Sequence, residues 1–564
     1  MLLIFLSWIY IFFTAKNFGI LFTKIFNIKT CNCFVVIALG LLFYTITTSF
    51  FAFFIRINIE YYLLVLCLNL LLAYRFKNII IDYLSSTFKT FKSLNIQHKI
   101  LYLFLFTILL AQSSTKPYLI DNETYYIQTI KWINEFGYVK GLANVHMFLG
   151  QNSSWHTLQA GFNFPFFSNF HNDINGFLFV VFSIFAVEKL SNNSENIQDF
   201  SLGLILLFSL FLMQFVNAPS PDLIIFLITP YIFYLFIVNY KNISKNDFKI
   251  FLSLVLFLCF VKVTMVVLST LILILFLNNY NTLKSQLWQY LFFSITVLVL
   301  FISKNAIVSG YLLYPITQID LVDFDWKVPK ELLNFYKLGT YLEGMSNMDV
   351  SQLGFLEKVK VWLTLPKLDG LFNKAFILLL IVFPWAVYKN KDKSSLFIIF
   401  ILAIIQLVLL WFTSPQYRFF FVFVSFLGIQ VFLRFSAIRK AGLYLVYLSV
   451  ILSAIPVFIT IDLNAFTNNN FAMELNTFKL KNIIIPEANT KTETKYTMHN
   501  IDGFEFYSPN EDVFFWATGD GNLPCVNKKQ IDYIRYYYNY VPQMRTDNLK
   551  DGFKSIAIEK TIKN

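Results

Sequence analysis

The chain has 564 residues, of which 57% are hydrophobic and only 14% charged, with a mean hydropathy of +0.60; this balance excludes an ordinary soluble enzyme and describes a chain held largely in hydrocarbon. The formal net charge of +12 does not point to nucleic acid, because Lys and Arg gather in short loops between apolar runs, where membrane topology accounts for them. Of the five cysteines only Cys525 lies in the polar C-terminal part, so no disulfide framework is implied there, and Cys31 and Cys33 without partner histidines make a weak metal site.

Apolar runs recur from Leu2 to Thr460. The first lacks a basic start and a small-residue cleavage site, so it reads as a retained span. Taking roughly 17–25 apolar residues to cross a bilayer, and shorter runs as arms of hairpins, the pattern predicts about fourteen helices. They fall near 2–22, 34–54, 59–74, 98–112, 173–189, 200–216, 221–239, 250–261, 264–278, 288–303, 374–389, 394–412, 416–433 and 441–459. The expected organisation is therefore N-terminal helices with a basic cytoplasmic loop over 1–97, a transmembrane core over 98–459 with polar loops at 113–172 and 304–373, and a polar domain over 460–564. That last domain reads as a small α/β or irregular unit.

Orientation turns on the run 250–278, which Lys262 interrupts. If Val261-Lys262-Val263-Thr264 is the tip of a hairpin, the basic loops Arg75 to Lys99, Lys241 to Lys249, Lys389 to Lys393 and Arg434 to Lys440 share one side, which the positive-inside rule makes the cytoplasm. A single span there would throw the last two outward. The hairpin reading also gathers 113–172, Pro219 to Asp222, Lys262, 304–373, Ser414 to Arg418 and the C-terminus on the opposite, external face.

On that face several residue types suggest chemistry. Asp121 and Glu123 follow a span and open a stretch, Glu123 to Phe136, in which Tyr126, Ile130 and Ile133 fall at helical spacing, as in an amphipathic helix on the membrane surface. Asp121 and Asp222 also suit plain helix N-caps. Lys262, inside an apolar run, costs on the order of 3 kcal/mol at mid-bilayer, so it either snorkels to an interface or holds a partner such as a phosphate. Arg418 supplies a planar fork suited to phosphate oxygens, or an interfacial anchor beside Tyr417. His146, His156 and His171 match no metal-binding spacing and read first as hydrogen-bonded histidines. Asp320, Asp323 and Asp325 lack the Gly and closing Glu of a calcium loop. No phosphate-binding loop, dinucleotide fingerprint or serine elbow appears, which disfavours ATP-driven transport by this chain alone.

The strings GLANVH (141–146), NSSWH (152–156), PSPD (219–222), KNAIVSGYLLYP (304–315), DWKVP (325–329) and SPQYRF (414–419), with Trp516 and Leu523 to Cys525, resemble a family of largely uncharacterised multispanning bacterial membrane proteins. That family in turn resembles GT-C type glycosyltransferases. The resemblance implies an all-α polytopic membrane protein with a GT-C-like core, in the bacterial inner membrane, with an external, periplasmic C-terminus. It implies a polyprenyl-phosphate-linked sugar as donor, a glycan or lipid acceptor, and membrane lipid as surroundings. Asp121 occupies the place of the first-loop acid and would act as general base, with Glu123 or Asp222 orienting donor or acceptor. Lys262 and Arg418 would hold the phosphate. His146, Trp155 and His156 join the substrate-binding set, and Trp132 and Trp155 either stack on sugars or anchor at the interface. Three helices precede the usual first span, and the acids read Asp-Asn-Glu, so no cofactor is assigned and a divalent cation is left open. A polymerase or ligase of lipid-linked glycan, and a non-enzymatic flippase or transporter, are the competing classes; the latter would call for internal repeats, which the sequence does not display.

Overall fold

A computed structural model describes residues 1–29, 32–168, 172–191, 197–434, 438–467, 477–510 and 513–558; Cys31 and His171 lie outside these. Each of the fourteen apolar runs is helical within them. The helices are Leu2–Ile25, Cys33–Ala52, Ile59–Arg75, Ile96–Gln112, Ile174–Ser191, Ile197–Phe215 with internal 3-10 turns, Pro221–Asn239, Lys245–Val261, Ser269–Asn278, Leu287–Ser309, Lys367–Val387, Lys393–Trp411, Tyr417–Phe432 and Ile438–Leu452. Among the described residues nine helices are long and apolar enough to cross a membrane, the make-up of a polytopic membrane protein. Ile96–Gln112, Val263–Asn278 and Tyr417–Phe432 are apolar but shorter.

The N-terminal pair packs by close backbone approach. A Cβ on Gly40 would lie 1.6 Å from the Ala15 carbonyl oxygen, and one on Gly19 would lie 2.0 Å from that of Val36. Small residues facing each other let two apolar helices gain packing energy where hydrophobicity cannot drive association. The stretch taken for a basic loop after Arg75 is instead helical, Lys77–Ser93, bent 83° from Ile59–Arg75. Its lysines and serines hide an apolar stripe that periodicity, not mean hydropathy, carries.

Lys262 does sit at the tip of a hairpin. Its backbone is extended (φ −148°, ψ 120°), which ends Lys245–Val261, and the 3-10 turn Val263–Leu268 then starts the return arm. The two arms finish side by side: the Ile243 amide donates to Asn279 Oδ1 at 3.2 Å, and the Phe248 and Phe276 rings lie 6.1 Å apart. The chain therefore doubles back on itself at Lys262. At that end of the bundle Lys249 Nζ donates to the Phe26 carbonyl (2.6 Å) and Gln198 links Asp392 to Gln430. At the other end, Asn217 Nδ2 reaches the Lys116 carbonyl (2.8 Å), Asn482 Nδ2 the Ser114 carbonyl (3.2 Å), and the Tyr138 amide the Ala52 carbonyl (2.7 Å). The basic loops and the long polar segments thus occupy opposite ends.

The C-terminal part is a small α/β unit. Strands β1 (Tyr496–Ile501) and β2 (Phe504–Pro509) form an antiparallel hairpin, closed by Asp502 and Gly503, both with positive φ as a two-residue primed turn requires. Strands β3 (Tyr540–Met544) and β4 (Phe553–Ala557) form a second hairpin after the helix Lys528–Tyr538. This unit docks on the first polar loop: the Phe553 amide donates to the Lys140 carbonyl (2.9 Å), Ser555 Oγ to Asn144 Oδ1 (2.8 Å), and Gln128 Nε2 to the carbonyls of Gly519 (3.1 Å) and Gly521 (2.9 Å). The amphipathic stretch therefore does not lie bare on a membrane. A π-helical turn, Asn122–Tyr126, leads into the helix Ile127–Phe136, whose polar face is covered by the C-terminal unit and whose Ile130 and Ile133 join the hydrophobic core formed by the apolar helices.

The strings that suggested a family interlock as scaffold. Asn144 Nδ2 donates to the Trp326 carbonyl (2.9 Å), the Gly141 amide to that of Ile307 (2.8 Å), and Trp326 Nε1 to that of Ala306 (3.0 Å). Asp320 pairs with Lys327 and Lys330, and Asp325 forms a two-pronged pair with Arg545 at 2.9 and 3.1 Å. Those acids are used as ion-pair partners.

Candidate functional site

Four residues from four distant parts of the chain meet at the polar end. Ser220 Oγ accepts from the Asp222 amide (3.3 Å), so Ser220 is the cap of Pro221–Asn239, with Pro221 at its first position. The Asp222 carboxylate is thereby free of capping and forms an ion pair with Lys262 Nζ. Asp121 likewise makes no side-chain cap bond to the π turn it precedes; its Oδ2 accepts from Arg418 and from Tyr126 Oη (3.3 Å). The N-cap readings fail for both aspartates, because their side chains are spent on cations.

The two ion pairs are one cluster. Lys262 Nζ lies 3.9 Å from the centroid of the Phe419 ring, and the Arg418 guanidinium carbon lies 5.0 Å from the same centroid. One aromatic ring holds both cations with no counter-charge of its own. The turn before Arg418 is pinned twice: Ser414 Oγ donates to the Thr340 carbonyl (2.7 Å) and Trp362 Nε1 to that of Pro415 (2.8 Å). Ser153 Oγ donates to the Val261 carbonyl (2.7 Å), fixing the hairpin tip to the first polar loop. Side-chain exposure is 18% for Lys262 and 23% for Arg418, against 3% for Asp222 and 14% for Asp121. The cations are the members a ligand meets first.

The remaining sequence-predicted residues divide differently. Glu123 does not join the cluster. It is fully buried, with its carboxylate accepting from Thr490 Oγ1 (2.6 Å) and the Lys491 amide (3.0 Å), while its carbonyl accepts from the amides of Thr518 (2.8 Å) and Gly519 (2.9 Å). It anchors the C-terminal unit, since a buried carboxylate is tolerated only where donors converge on it. Trp155 is also fully buried, bonded through Nε1 to Asn175 Oδ1 (2.7 Å), and Trp132 packs against Phe136 and Phe553; neither face is open to a sugar.

His146 is buried between Phe148 and Trp516, its Nε2 3.3 Å from the Trp516 carbonyl, and burial lowers its pKa to about 4. His156 lies behind the cluster, 4.6 Å from the Tyr126 ring, and among the described residues neither of its nitrogens has a hydrogen bond of normal geometry. Burial, then the Lys304 ammonium nearby, lowers its pKa to about 3 against the opposing Pro219 carbonyl, so it is a neutral imidazole. Lys304, which the sequence analysis did not single out, is buried and donates to Ser154 Oγ (2.8 Å). Among the described residues no three His, Cys, Asp or Glu side chains converge as a metal-binding group.

Residues 1–425 match the model of a protein family described as a domain of unknown function, DUF8201. The chain belongs to this family. The DUF8201 match contains Asp121, Asp222, Lys262 and Arg418 and ends before the C-terminal unit. No curated protein and no solved structure matches the chain.

Tyr126, Gln416 and Glu343 complete the cluster's rim; Tyr126 enters the sequence analysis only for its helical spacing, and Gln416 and Glu343 escape it. Gln416 Oε1 accepts from Arg418 Nε (2.8 Å), and its Nε2 donates to Glu343 Oε2 (3.2 Å) and Ser414 Oγ (3.0 Å). Only Gln416, two residues before the singled-out arginine in SPQYRF, carried a local signal. Glu343 sits in an otherwise unremarked segment. In each of the two ion pairs one carboxylate balances one cation, an arrangement suited to exchanging those anions for the anions of a ligand.

Proposed function

We propose that the protein is a GT-C-like membrane glycosyltransferase that moves a sugar from a polyprenyl-phosphate donor to a glycan or lipid acceptor on the external face of the bacterial plasma membrane. In this reading the shorter apolar helices complete about fourteen membrane segments, and the C-terminal unit is periplasmic. The observation that carries the proposal is the sharing of one aromatic ring, Phe419, by Lys262 and Arg418, each already holding a carboxylate. A donor phosphate would compete with Asp121 and Asp222 for these cations. Charge-assisted bonds to phosphate oxygens are roughly twice as strong as neutral ones, and an arginine fork matches phosphate geometry.

As the bond between the anomeric carbon and the phosphate oxygen breaks, negative charge grows on that oxygen, and two fixed cations stabilise it most at that moment. Asp121 and Asp222 hold the cations in place while the site is empty. The experiment is to express variants in a strain lacking the native gene and to profile its surface glycan and lipid-linked intermediates. Arg418→Ala at normal protein level is expected to leave the glycan truncated with donor accumulated. Unchanged glycan would overturn the proposal, and intermediates trapped on the cytoplasmic side would favour a flippase instead.

A further inference from the structure

A cavity of about 430 Å³ lies among the N-terminal helices and shares no residue with the ion-pair cluster. Its volume falls within the range of small-molecule pockets, about 300–1,000 Å³. The helices Leu2–Ile25, Ile96–Gln112 and Ile174–Ser191 wall it with apolar side chains, among them Phe12, Phe106, Phe177 and Ile184. From Phe177 to Glu188 this wall rises about 16 Å, close to half of a hydrocarbon core roughly 30 Å thick, which is the reach of one leaflet's chains. Water finds few partners in such a hollow, and an acyl chain fits it.

The amide, carboxylate and small hydroxyl side chains of the lining gather at one end, that of the basic loops. Asn32 caps Cys33–Ala52, accepting from the Val35 amide (2.9 Å); Ser86, Thr87 and Thr90 come from the bent helix Lys77–Ser93, and Glu188 from the last turn of Ile174–Ser191. Glu188 is half-buried, and among the described residues no cation forms an ion pair with it. Lys189 beside it is taken by Asp199 at 3.1 Å and by the rings of Phe185 and Tyr234. Lys16, against the rings of Phe12 and Tyr83, donates to the Ile80 carbonyl (3.1 Å). Two carboxylates, Glu188 and Asp199, thus face the one ammonium of Lys189, and a carboxylate on the wall of an apolar hollow calls for a cation.

The outer surface has the other sign. Lys77–Ser93 exposes Ile81, Leu84 and Phe88 at helical spacing, with Lys89 and Lys92 exposed on the same helix, the pattern of a helix lying at headgroup level. Negative charge inside and positive charge outside match a zwitterion.

We propose that this cavity binds an aminophospholipid, with an acyl chain between the helices, its primary ammonium on Glu188 and its phosphate among the hydroxyls of Ser86, Thr87 and Thr90, near the lysines of the same helix. A quaternary ammonium has no hydrogen to give Glu188, and an anionic headgroup meets a like charge there.

The full chain, purified in detergent, is offered phosphatidylethanolamine, phosphatidylcholine and phosphatidylglycerol with identical chains in equal amounts, and bound lipid is read by native mass spectrometry. The natural protein should retain phosphatidylethanolamine on the order of 10-fold over each of the others, the worth of one charge-assisted hydrogen bond. Glu188→Gln should remove that preference. Glu188→Lys should turn it towards phosphatidylglycerol, a gain that misfolding cannot imitate. Ile184→Trp, which fills the cavity from a half-buried position, should reduce retention of all three. Equal retention of the three by the natural protein would mean annular lipid only and would overturn the inference. So would a phosphatidylethanolamine preference that survives Glu188→Gln, or undiminished binding in Ile184→Trp. A lipid-free dimer would overturn it as well, with a second copy covering the hollow.

Discussion

Asp121 and Glu123 stand two residues apart in the same polar loop and have opposite fates. Asp121 reaches across the bundle to Arg418 on a late helix, partly open to solvent, whereas Glu123 turns away and is sealed by amides and a hydroxyl of the C-terminal unit. Asp121 precedes the π-helical turn Asn122–Tyr126 and Glu123 lies within it. Two similar acids at one helix start can thus serve a ligand-facing cluster and a structural seam, and what separates them is the partner each finds hundreds of residues away.

Breaking the two regions should give contrasting losses. The largest effect is expected in the cluster. Lys262→Met strands the nearly buried Asp222 and should destabilise by about 3–5 kcal/mol, as removing one member of a buried pair does. Adding Asp222→Asn should restore most of the thermal stability but none of the glycan transfer. If the double variant transfers normally, the cations do not hold a phosphate. In the seam, Glu123→Ala leaves the Lys491 amide and Thr490 hydroxyl without their acceptor and should cost about 2–4 kcal/mol in thermal unfolding, roughly 1–3 per stranded group. Here the C-terminal unit should become protease-sensitive first; an intact unit would show that the seam is held by other contacts.

Acid should expose the histidines on the inner side of both regions. The folded pKa values of His146 and His156 are lowered, to about 4 and about 3, so they bind protons less readily folded than unfolded. Their neutral forms therefore support stability above about 6.5, and that support should fade as pH falls from there towards 4. Last, Trp155→Phe removes part of a fully buried ring and leaves Asn175 Oδ1 without its donor, which should cost about 1–3 kcal/mol with transfer unchanged. A selective loss of transfer there would return Trp155 to the substrate.

Much of this was legible in the chain because hydrocarbon enforces simple rules. The apolar runs became helices, and the lysine within an apolar run bent back, since a charge there needs an exit or a partner. Asp222, Lys262 and Arg418 could be singled out because each interrupts or opens an apolar helix. The helix Lys77–Ser93 was missed because lysine and serine mask its apolar stripe. Glu123 was misplaced because local spacing tells that an acid opens a helix but not which donors close over it. Trp155 has the composition of a surface aromatic and the partners of a core one. Glu343 gave no signal at all: its significance comes from Gln416 and Asp121, which only the folded chain brings beside it.

The central claim is that the hairpin at Lys262 brings both long polar segments to one side of the membrane. Single cysteines at exposed positions test it most directly: Phe167→Cys in the first segment, Met348→Cys in the second and Lys391→Cys in a basic loop, each in a parent whose native cysteines are replaced. With a membrane-impermeant maleimide applied to intact cells, the first two should label together while Lys391→Cys labels only after permeabilisation. Labelling of Phe167→Cys and Met348→Cys from opposite sides would contradict the hairpin, and with it the shared site.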